Sequence, residues 1–233
     1  TVLDLNTMLE WQQDNTDVPD AVHAQVVDYC EGLVLGGHSD WRMPSLFELL
    51  TLIDYGKRST PFIDSAFTLD SGRLWSTSSS DTSFLWVGFN EGTINDTTEA
   101  NRSLCVRGEP YAPALLVSPT QAQDLRSGLA WTREDAVTGS WASSLSYCES
   151  LTLDGFTDWR MPTLAELGSL FDSLPQLRAS GTLTIGSQTL WSATPSDPGD
   201  RTIRALAVDQ LDIDGRNPGE SAGYGTLCVR AFE

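Results

Sequence analysis

The sequence predicts an α+β fold built from two tandem copies of one domain, each with two helices followed by a small, mainly antiparallel sheet. Three observations lead to this prediction. Sequence blocks recur in the same order about half a chain apart, two stretches of each copy have helical periodicity, and short apolar runs separated by polar loops follow those stretches. Matched order with offsets that drift by a few residues is typical of a duplication with loop insertions.

The repeat is carried by blocks with distinctive sequences. Asp-Trp-Arg-Met-Pro stands at 40–44 and 158–162, Tyr-Cys-Glu at 29–31 and 147–149, Leu-Trp-Ser at 74–76 and 190–192, and Leu-Cys-Val-Arg at 104–107 and 227–230. The stretch 109–113 between the copies contains two prolines, which disfavour regular structure and suit a short, stiff connector. We therefore expect one domain over 1–110 and a second over 111–233.

Each copy is predicted to open with a strand and to continue into an amphipathic helix. Apolar residues alternate over 9–11, as on a half-buried strand. Over 21–35 they recur every three or four positions instead, and 141–151 is the corresponding stretch of copy two. Glycines at 36–37 and at 155 follow these stretches, which predicts that glycine ends both helices.

The second helix of each copy has a more specific start signal. Ser45 is followed three residues later by Glu48, and Thr163 by Glu166. This is the spacing of a capping box, in which the hydroxyl accepts from the amide three residues on and the carboxylate accepts from the cap amide. Leucines at helical spacing follow both boxes and predict one apolar face for each helix.

Strands are predicted from the apolar runs that follow the helices. They lie at 75–76, 84–89 and a run ending at 107 in copy one, and at 191–192, 203–208 and 227–230 in copy two. Long polar loops are predicted at 57–72, 91–103, 173–188 and 209–225. Since loops on a rigid scaffold carry most binding residues, we expect these loops to hold the function.

The four cysteines lie in matching places, one on the first helix and one on the last strand of each copy. None belongs to a Cys-x-x-Cys pair, which argues against a zinc ribbon or a redox motif. The duplication favours the pairs Cys30–Cys105 and Cys148–Cys228 among the three possible pairings, because each copy then closes on itself. The alternative is four buried free thiols in a cytosolic protein. Disulfides instead imply a secreted or cell-surface protein, or one of the periplasm.

Charge and hydropathy exclude two classes of partner. The net charge is −18, a sign that repels phosphate backbones and anionic lipid surfaces, so we expect no nucleic-acid partner. No apolar run approaches the ~20 residues that a membrane helix needs, so we expect no membrane insertion. No signal peptide is recognisable at Thr1, and the expectation of export therefore rests on the cysteines.

The sequence offers little for catalysis. His23 and His38 are the only histidines, and neither has a counterpart in copy two. The chain has no cluster of histidines and no Gly-rich phosphate loop. We therefore expect that the protein is not an enzyme.

Tryptophans that occur in one copy only are candidates for ligand contacts. Trp86 and Trp141 lack a repeated partner, whereas tryptophans at repeated positions are expected in the core. The alternative to ligand contact is that Trp86 and Trp141 also lie in the core. The repeated arginines have a structural interpretation too, as ion-pair partners of framework acids; these arginines are Arg42, Arg107, Arg160 and Arg230, and the acids are Asp40, Glu48, Asp158 and Glu166.

One acidic stretch is a candidate calcium loop, and no other cofactor is expected. Calcium prefers six to eight oxygen ligands, and the densest cluster of carboxylates and amides in the chain consists of Asp209, Asp212, Asp214, Asn217 and Glu220. The competing interpretation is a plain hairpin with the Asp-Gly of 214–215 at its turn.

The repeated blocks resemble a known family. The opening Asp and Trp, the helical Cys, the Asp-Trp-Arg-Met-Pro block with its capping box, and the closing Cys-Val-Arg are similar to the Legionella collagen-like protein C-terminal domain family, once in each copy. Copy one departs from the family only near Met8, where the family has Gly. The resemblance implies a fold similar to C-type lectins and to the formylglycine-generating enzyme, and a role in adhesion. The family's adhesin binds sulfated polysaccharides, which a chain of net charge −18 does not suit.

Two hypotheses of function from different classes follow. The first is a non-catalytic extracellular binding or adhesion module whose ligand is a glycan or a surface protein. The second is a structural subunit or decoration of an extracellular filament or surface layer, with copies of itself as partners. A dilute monomer favours the first hypothesis, and a large assembly favours the second. An enzyme of the formylglycine-generating kind would need free thiols.

Overall fold

The computed structural model describes residues 1–54, 56–57, 59–79, 83–112, 114–136, 139–171, 177, 179–187, 189–195, 203–207, 212–216 and 224–232. The chain divides into two compact units, Thr1–Tyr111 (unit 1) and Ala112–Glu233 (unit 2). Among the described residues, each unit has two helices and short strands that pair mainly antiparallel, which confirms the α+β class.

The described part of unit 1 contains two helices and six strands, in this order: β1 (Val2–Leu3), β2 (Glu10–Trp11), α1 (His23–Glu31), α2 (Leu46–Thr51), β3 (Arg73–Ser79), β4 (Phe84–Gly88), β5 (Thr93–Thr97) and β6 (Val106–Arg107). Strand β2 pairs antiparallel with β1 and β6, and β4 pairs antiparallel with β3 and β5. The single sheet predicted for each copy is therefore wrong, because the opening strand pairs with the closing strand rather than with the central strands.

Unit 2 repeats this arrangement and adds to it. Its elements are β7 (Leu115–Val117), β8 (Gln121–Asp124), β9 (Leu129–Thr132), α3 (Trp141–Ser150), α4 (Leu164–Phe171), β10 (Thr189–Pro195), β11 (Ile203–Ala207), β12 (Asp212–Arg216), β13 (Tyr224–Gly225) and β14 (Val229–Ala231). Strand β9 pairs with β8 and β14, β11 pairs with β10 and β12, and β13 runs parallel to β10. Strand β7 extends the first of these sheets by pairing with β8.

The first helices end before the glycines that were predicted to end them. Helix α1 ends at Glu31 and α3 at Ser150, several residues short of Gly36 and Gly155. The glycines instead belong to two-residue turns, bridged by Leu35–His38 in unit 1 and Leu153–Phe156 in unit 2. All four central residues have positive φ, at 63° and 83° in the first turn and 54° and 82° in the second. A tight turn of this kind requires positive φ at both central positions, which glycine adopts without strain.

Two of the predicted polar loops contain strands. Strand β5 lies within 91–103, and β12 and β13 lie within 209–225. Each of β5 and β12 has a single apolar residue among polar ones, and such a sequence pattern predicts a loop. These segments form strands because their backbones pair with neighbouring strands. The Asp-Gly of 214–215 pairs with Ala205 and Arg204 inside the β11–β12 ladder, so the hairpin turn predicted at this dipeptide is wrong.

The core of each unit is built on the repeated residues. The tryptophans at repeated positions are all buried: Trp11, Trp41 and Trp75 in unit 1, and Trp131, Trp159 and Trp191 in unit 2. The disulfides are Cys30–Cys105 and Cys148–Cys228, one in each unit, the pairing that the duplication favours. Each ties the first helix to the residue before the closing strand across 75 or 80 residues of sequence, and closing such a loop stabilises a domain by about 4 kcal/mol in the chain-entropy model.

The helices of the part of the chain that the structure describes include none that is long and apolar enough to cross a membrane.

Candidate binding site

The Arg of the repeated Trp-Arg-Met-Pro block is bound to the capping box of the following helix. In unit 1 the Arg42 guanidinium donates from both Nη atoms to the two Glu48 carboxylate oxygens, each at 2.7 Å. Glu48 Oε2 also accepts from the Ser45 amide at 2.8 Å, which completes the capping box. Arg160 and Glu166 form the same bidentate pair in unit 2, at 2.8 and 2.5 Å. These four side chains therefore hold the entry to the second helix.

The Glu166 carboxyl shows the electrostatic result of this arrangement. Burial acts to raise its pKa, but the hydrogen bonds from Arg160 and from the Thr163 amide outweigh burial and hold the pKa below the usual range. The carboxylate is thus charged and committed to its partners, and it is a poor candidate for a general acid or base.

The second repeated arginine binds the Asp of the same block. Arg107 donates to both carboxylate oxygens of Asp40, at 2.8 and 3.1 Å, and to Glu10 Oε2 at 2.7 Å. Arg230 donates to Asp158 Oδ1 at 3.0 Å, and its guanidinium lies 3.6 Å from the centre of the Phe156 ring. Both pairs fix the closing strand to the block, so the interpretation of the arginines as ion-pair partners fits their geometry.

Unit 1 contains an aromatic cavity of about 230 Å³ beside the start of helix α1. His23 stacks on Phe84 with ring centres 3.6 Å apart and planes 6° apart, and it meets Trp75 edge-on at 5.5 Å. Trp75 is buried, whereas Phe84 is 40% exposed, and all three rings line the cavity. An apolar concavity with few polar groups is the usual form of a site for a small ligand group.

His23 is held as a neutral hydrogen-bond donor at the edge of this cavity. Its Nε2 lies 2.8 Å from the Ser76 carbonyl oxygen, and because a carbonyl only accepts, the proton resides on Nε2. Burial lowers the pKa of His23, and the bond to the carbonyl offsets only part of this effect. The ring is therefore uncharged near neutral pH, and the cavity has no cation to offer an anionic ligand.

Trp141 is the structural counterpart of His23. It is the first residue of α3, as His23 is of α1, and its Nε1 donates to the Ser192 carbonyl oxygen at 2.9 Å. Ser192 follows the repeated Trp191 as Ser76 follows Trp75. Sequence reasoning treated His23 and Trp141 as unmatched; their equal distance from the helical cysteine is the signal that relates them.

Trp86 lies mostly inside unit 1. It is 7% exposed, packs in the cluster that contains Trp75 and Cys105, and has the Arg73 guanidinium 4.8 Å from its ring centre. The corresponding position opposite Trp191 in unit 2 is Ala205. Trp141 is half-buried. The role of Trp86 and Trp141 in ligand binding stays a prediction.

Three of the predicted calcium ligands, Asp209, Asn217 and Glu220, lie outside the described residues. Asp212 and Asp214 lie two residues apart on β12, where their backbones pair with Ala207 and Ala205 of β11. Calcium binding stays a prediction. Within the described ranges, no three His, Cys, Asp or Glu side chains are grouped closely enough to hold a metal ion.

Comparison with known proteins gives one finding of similarity. The family model described as the Lcl C-terminal domain matches residues 1–107 and again residues 120–230. Each match spans the opening strand, both helices, the ion-paired arginines and the closing strand of one unit. No curated protein matches the chain.

Proposed function

Because the chain belongs to the Lcl C-terminal domain family and carries the domain twice, we propose that it is a non-catalytic extracellular binding module. Its ligand in this proposal is a glycan or a surface protein. All four cysteines are disulfide-bonded, a state that persists in oxidising compartments outside the cytosol. The same bonds remove the free thiols that chemistry of the formylglycine-generating kind requires. We propose further that each unit has a fold of the C-type lectin kind, with support from its paired opening and closing strands.

The observation that carries the proposal is the contrast between a constant framework and variable residues at one place on it. The ion pairs, disulfides and buried tryptophans are the same in both units. At the start of the first helix, by contrast, His23 of unit 1 is replaced by Trp141 in unit 2. Residues that change on a fixed scaffold are where function is grafted onto a fold.

The proposal is tested by binding to immobilised glycans and surface proteins with calcium present. We expect wild-type protein to bind at least one probe, and Phe84→Ser to weaken binding at the unit 1 cavity by about tenfold or more. Leu5→Ser is the matched control, since Leu5 is an exposed apolar residue of the same unit that does not line the cavity. Silence of the wild-type protein on both arrays would contradict the proposal.

A second candidate function, self-assembly, is favoured by strand β7. This strand pairs with β8 on one side, and its residues Leu116 and Val117 are exposed. An exposed edge with apolar side chains is a template for pairing with another chain. Light scattering over a range of concentrations distinguishes the two functions: an assembly that Leu116→Lys disperses and Leu125→Lys leaves intact supports a structural subunit, whereas a monomer throughout supports the binding module.

A further inference from the structure

Unit 2 contains a second cavity, of about 260 Å³, between helix α3 and the turn that joins β7 to β8. Its lining includes the apolar residues Leu151 and Leu153 and the oxygen-bearing residues Thr120 and Glu134. Tyr147 of α3 lines the cavity with 41% of its surface exposed. The volume is below the ~300–1,000 Å³ of sites for drug-sized ligands, so the cavity suits one ring with its substituents.

The wall of this cavity is fixed before any ligand arrives. The Arg133 guanidinium donates to the carbonyl oxygens of Ser118 at 3.1 Å and Thr182 at 2.9 Å, which ties the β7–β8 turn to a second loop. The Asp154 carboxylate accepts from the Thr120 hydroxyl and thereby holds the turn to the 153–156 hairpin. Tyr147 precedes the disulfide-bonded Cys148. A site with such a rigid wall loses little conformational freedom on binding.

The charges around the cavity select against anions. Arg133 donates from Nε, Nη1 and Nη2 to backbone carbonyls, so most of its N–H groups are engaged. Its single positive charge is offset by the negative charge of the neighbouring Glu134. Glu134 is exposed, and its carboxylate has no ion-pair partner among the residues that the structure describes. An anionic ligand would meet this carboxylate and the field of a chain with net charge −18. A ligand with hydroxyl groups, in contrast, can donate hydrogen bonds to Glu134.

Unit 1 shows why the site is specific to unit 2. Gln13 stands at the position of Arg133 and donates to the Ala66 carbonyl oxygen. Asp14 stands at the position of Glu134, but its Oδ1 accepts from the Thr16 amide at 2.7 Å, and hydrogen bonds from Thr16 lower its pKa. The Asp14 carboxylate is therefore committed to a local turn, whereas Glu134 has no such partner among the residues that the structure describes.

We propose that the unit 2 cavity binds one residue of an uncharged saccharide. The apolar CH face of the sugar ring lies on the Tyr147 ring, and its hydroxyls donate to the Glu134 carboxylate. An aromatic ring combined with a fixed oxygen acceptor matches a ligand that has both an apolar face and hydroxyl groups. This inference rests on the proposed function as a binding module and names the class of ligand for one of its units.

The test measures binding of the full chain to uncharged oligosaccharides and to their sialylated and sulfated counterparts. We expect binding to an uncharged probe whose Kd is the same at low and high salt. Tyr147→Ala and Glu134→Gln should each raise this Kd by about tenfold or more, whereas Tyr147→Phe, which keeps the ring, should stay within about threefold. Glu149→Gln is the matched control, an exposed carboxylate on the same helix outside the cavity.

The outcomes separate this inference from the proposed function. Equal binding of a glycan by wild type, Tyr147→Ala and Glu134→Gln overturns the saccharide site and leaves the binding module standing. So does binding to surface proteins alone, including a salt-sensitive contact in which a partner's lysine meets Glu134. Preference for the sulfated or sialylated probes also overturns the inference. If the wild-type protein binds neither glycans nor proteins, both proposals are wrong.

Discussion

Met8 and Gly128 hold the same left-handed backbone conformation at the same point of the two units, with φ of 59° and 67°. Each closes a turn organised by a repeated aspartate: Asp4 Oδ1 accepts from the Asn6 amide at 2.9 Å, and Asp124 Oδ1 accepts from the Arg126 amide at 3.1 Å. Unit 1 therefore has the same turn after its opening aspartate as unit 2, although its left-handed position holds Met8, which is strained there, and not a glycine.

Replacing Met8 by glycine should stabilise unit 1. A side chain with a Cβ in the left-handed region costs roughly 1–2 kcal/mol, and the greater freedom of glycine in the unfolded chain returns part of that, so we expect a net gain of about 0.5–1 kcal/mol. Met8 is 67% exposed, and its side chain contributes little packing to lose. Urea unfolding of Met8→Gly measures the effect. Met8→Ala is the control and should match wild type, because alanine keeps the strain.

His23 should make the stability of unit 1 depend on pH below neutrality. Its folded pKa lies below the ordinary value of 6.5, so the unfolded chain takes up the proton first. The stability it contributes is fully present above pH 6.5 and is lost as the pH falls from there through the folded pKa. Urea midpoints measured across this range should show a fall that His23→Gln removes and His38→Gln retains. A fall of the same size in both variants would assign the effect to other groups.

The two disulfides should each be needed for the stability of their own unit. Removing one as the double variant Cys30→Ala, Cys105→Ala should lower the free energy of unfolding of unit 1 by about 4 kcal/mol and leave unit 2 nearly unchanged. Proteolysis of the folded protein, with the fragments separated, assigns the loss to a unit. Peptide mapping without reduction checks the pairing directly, and a peptide that links Cys30 to Cys148 would contradict it.

Glu48 is a further test, because it is a buried charge with two roles. It pairs with Arg42 and accepts the cap hydrogen bond of helix α2. Glu48→Ala leaves the guanidinium without its partner, and breaking a buried pair in this way costs roughly 3–5 kcal/mol. The double variant Arg42→Ala, Glu48→Ala should recover part of the loss in a denaturation cycle. Additive losses would show that the two side chains act independently.

The sequence by itself determined the features that depend on local spacing or on comparison of the two copies. The duplication appeared in ordered blocks, and the second helices were predicted because a capping box is complete within four residues, as Ser45 and Glu48 show. The disulfide pairing was favoured because a duplicated domain must close on itself. The burial of the repeated tryptophans followed from their framework positions.

Tertiary structure alone decided which strands pair and which side chains meet. Strand β12 has only one apolar residue, so no local sequence pattern identifies it as a strand. It is a strand because its backbone pairs with that of β11. The equivalence of His23 and Trp141 lies in a shared hydrogen bond to a distant carbonyl rather than in similar side chains. The exposure of Tyr147 and Glu134 beside one cavity likewise depends on a turn folded against α3. Contacts between residues far apart in the chain are set by packing of the whole unit, and periodicity within a short window contains no information about them.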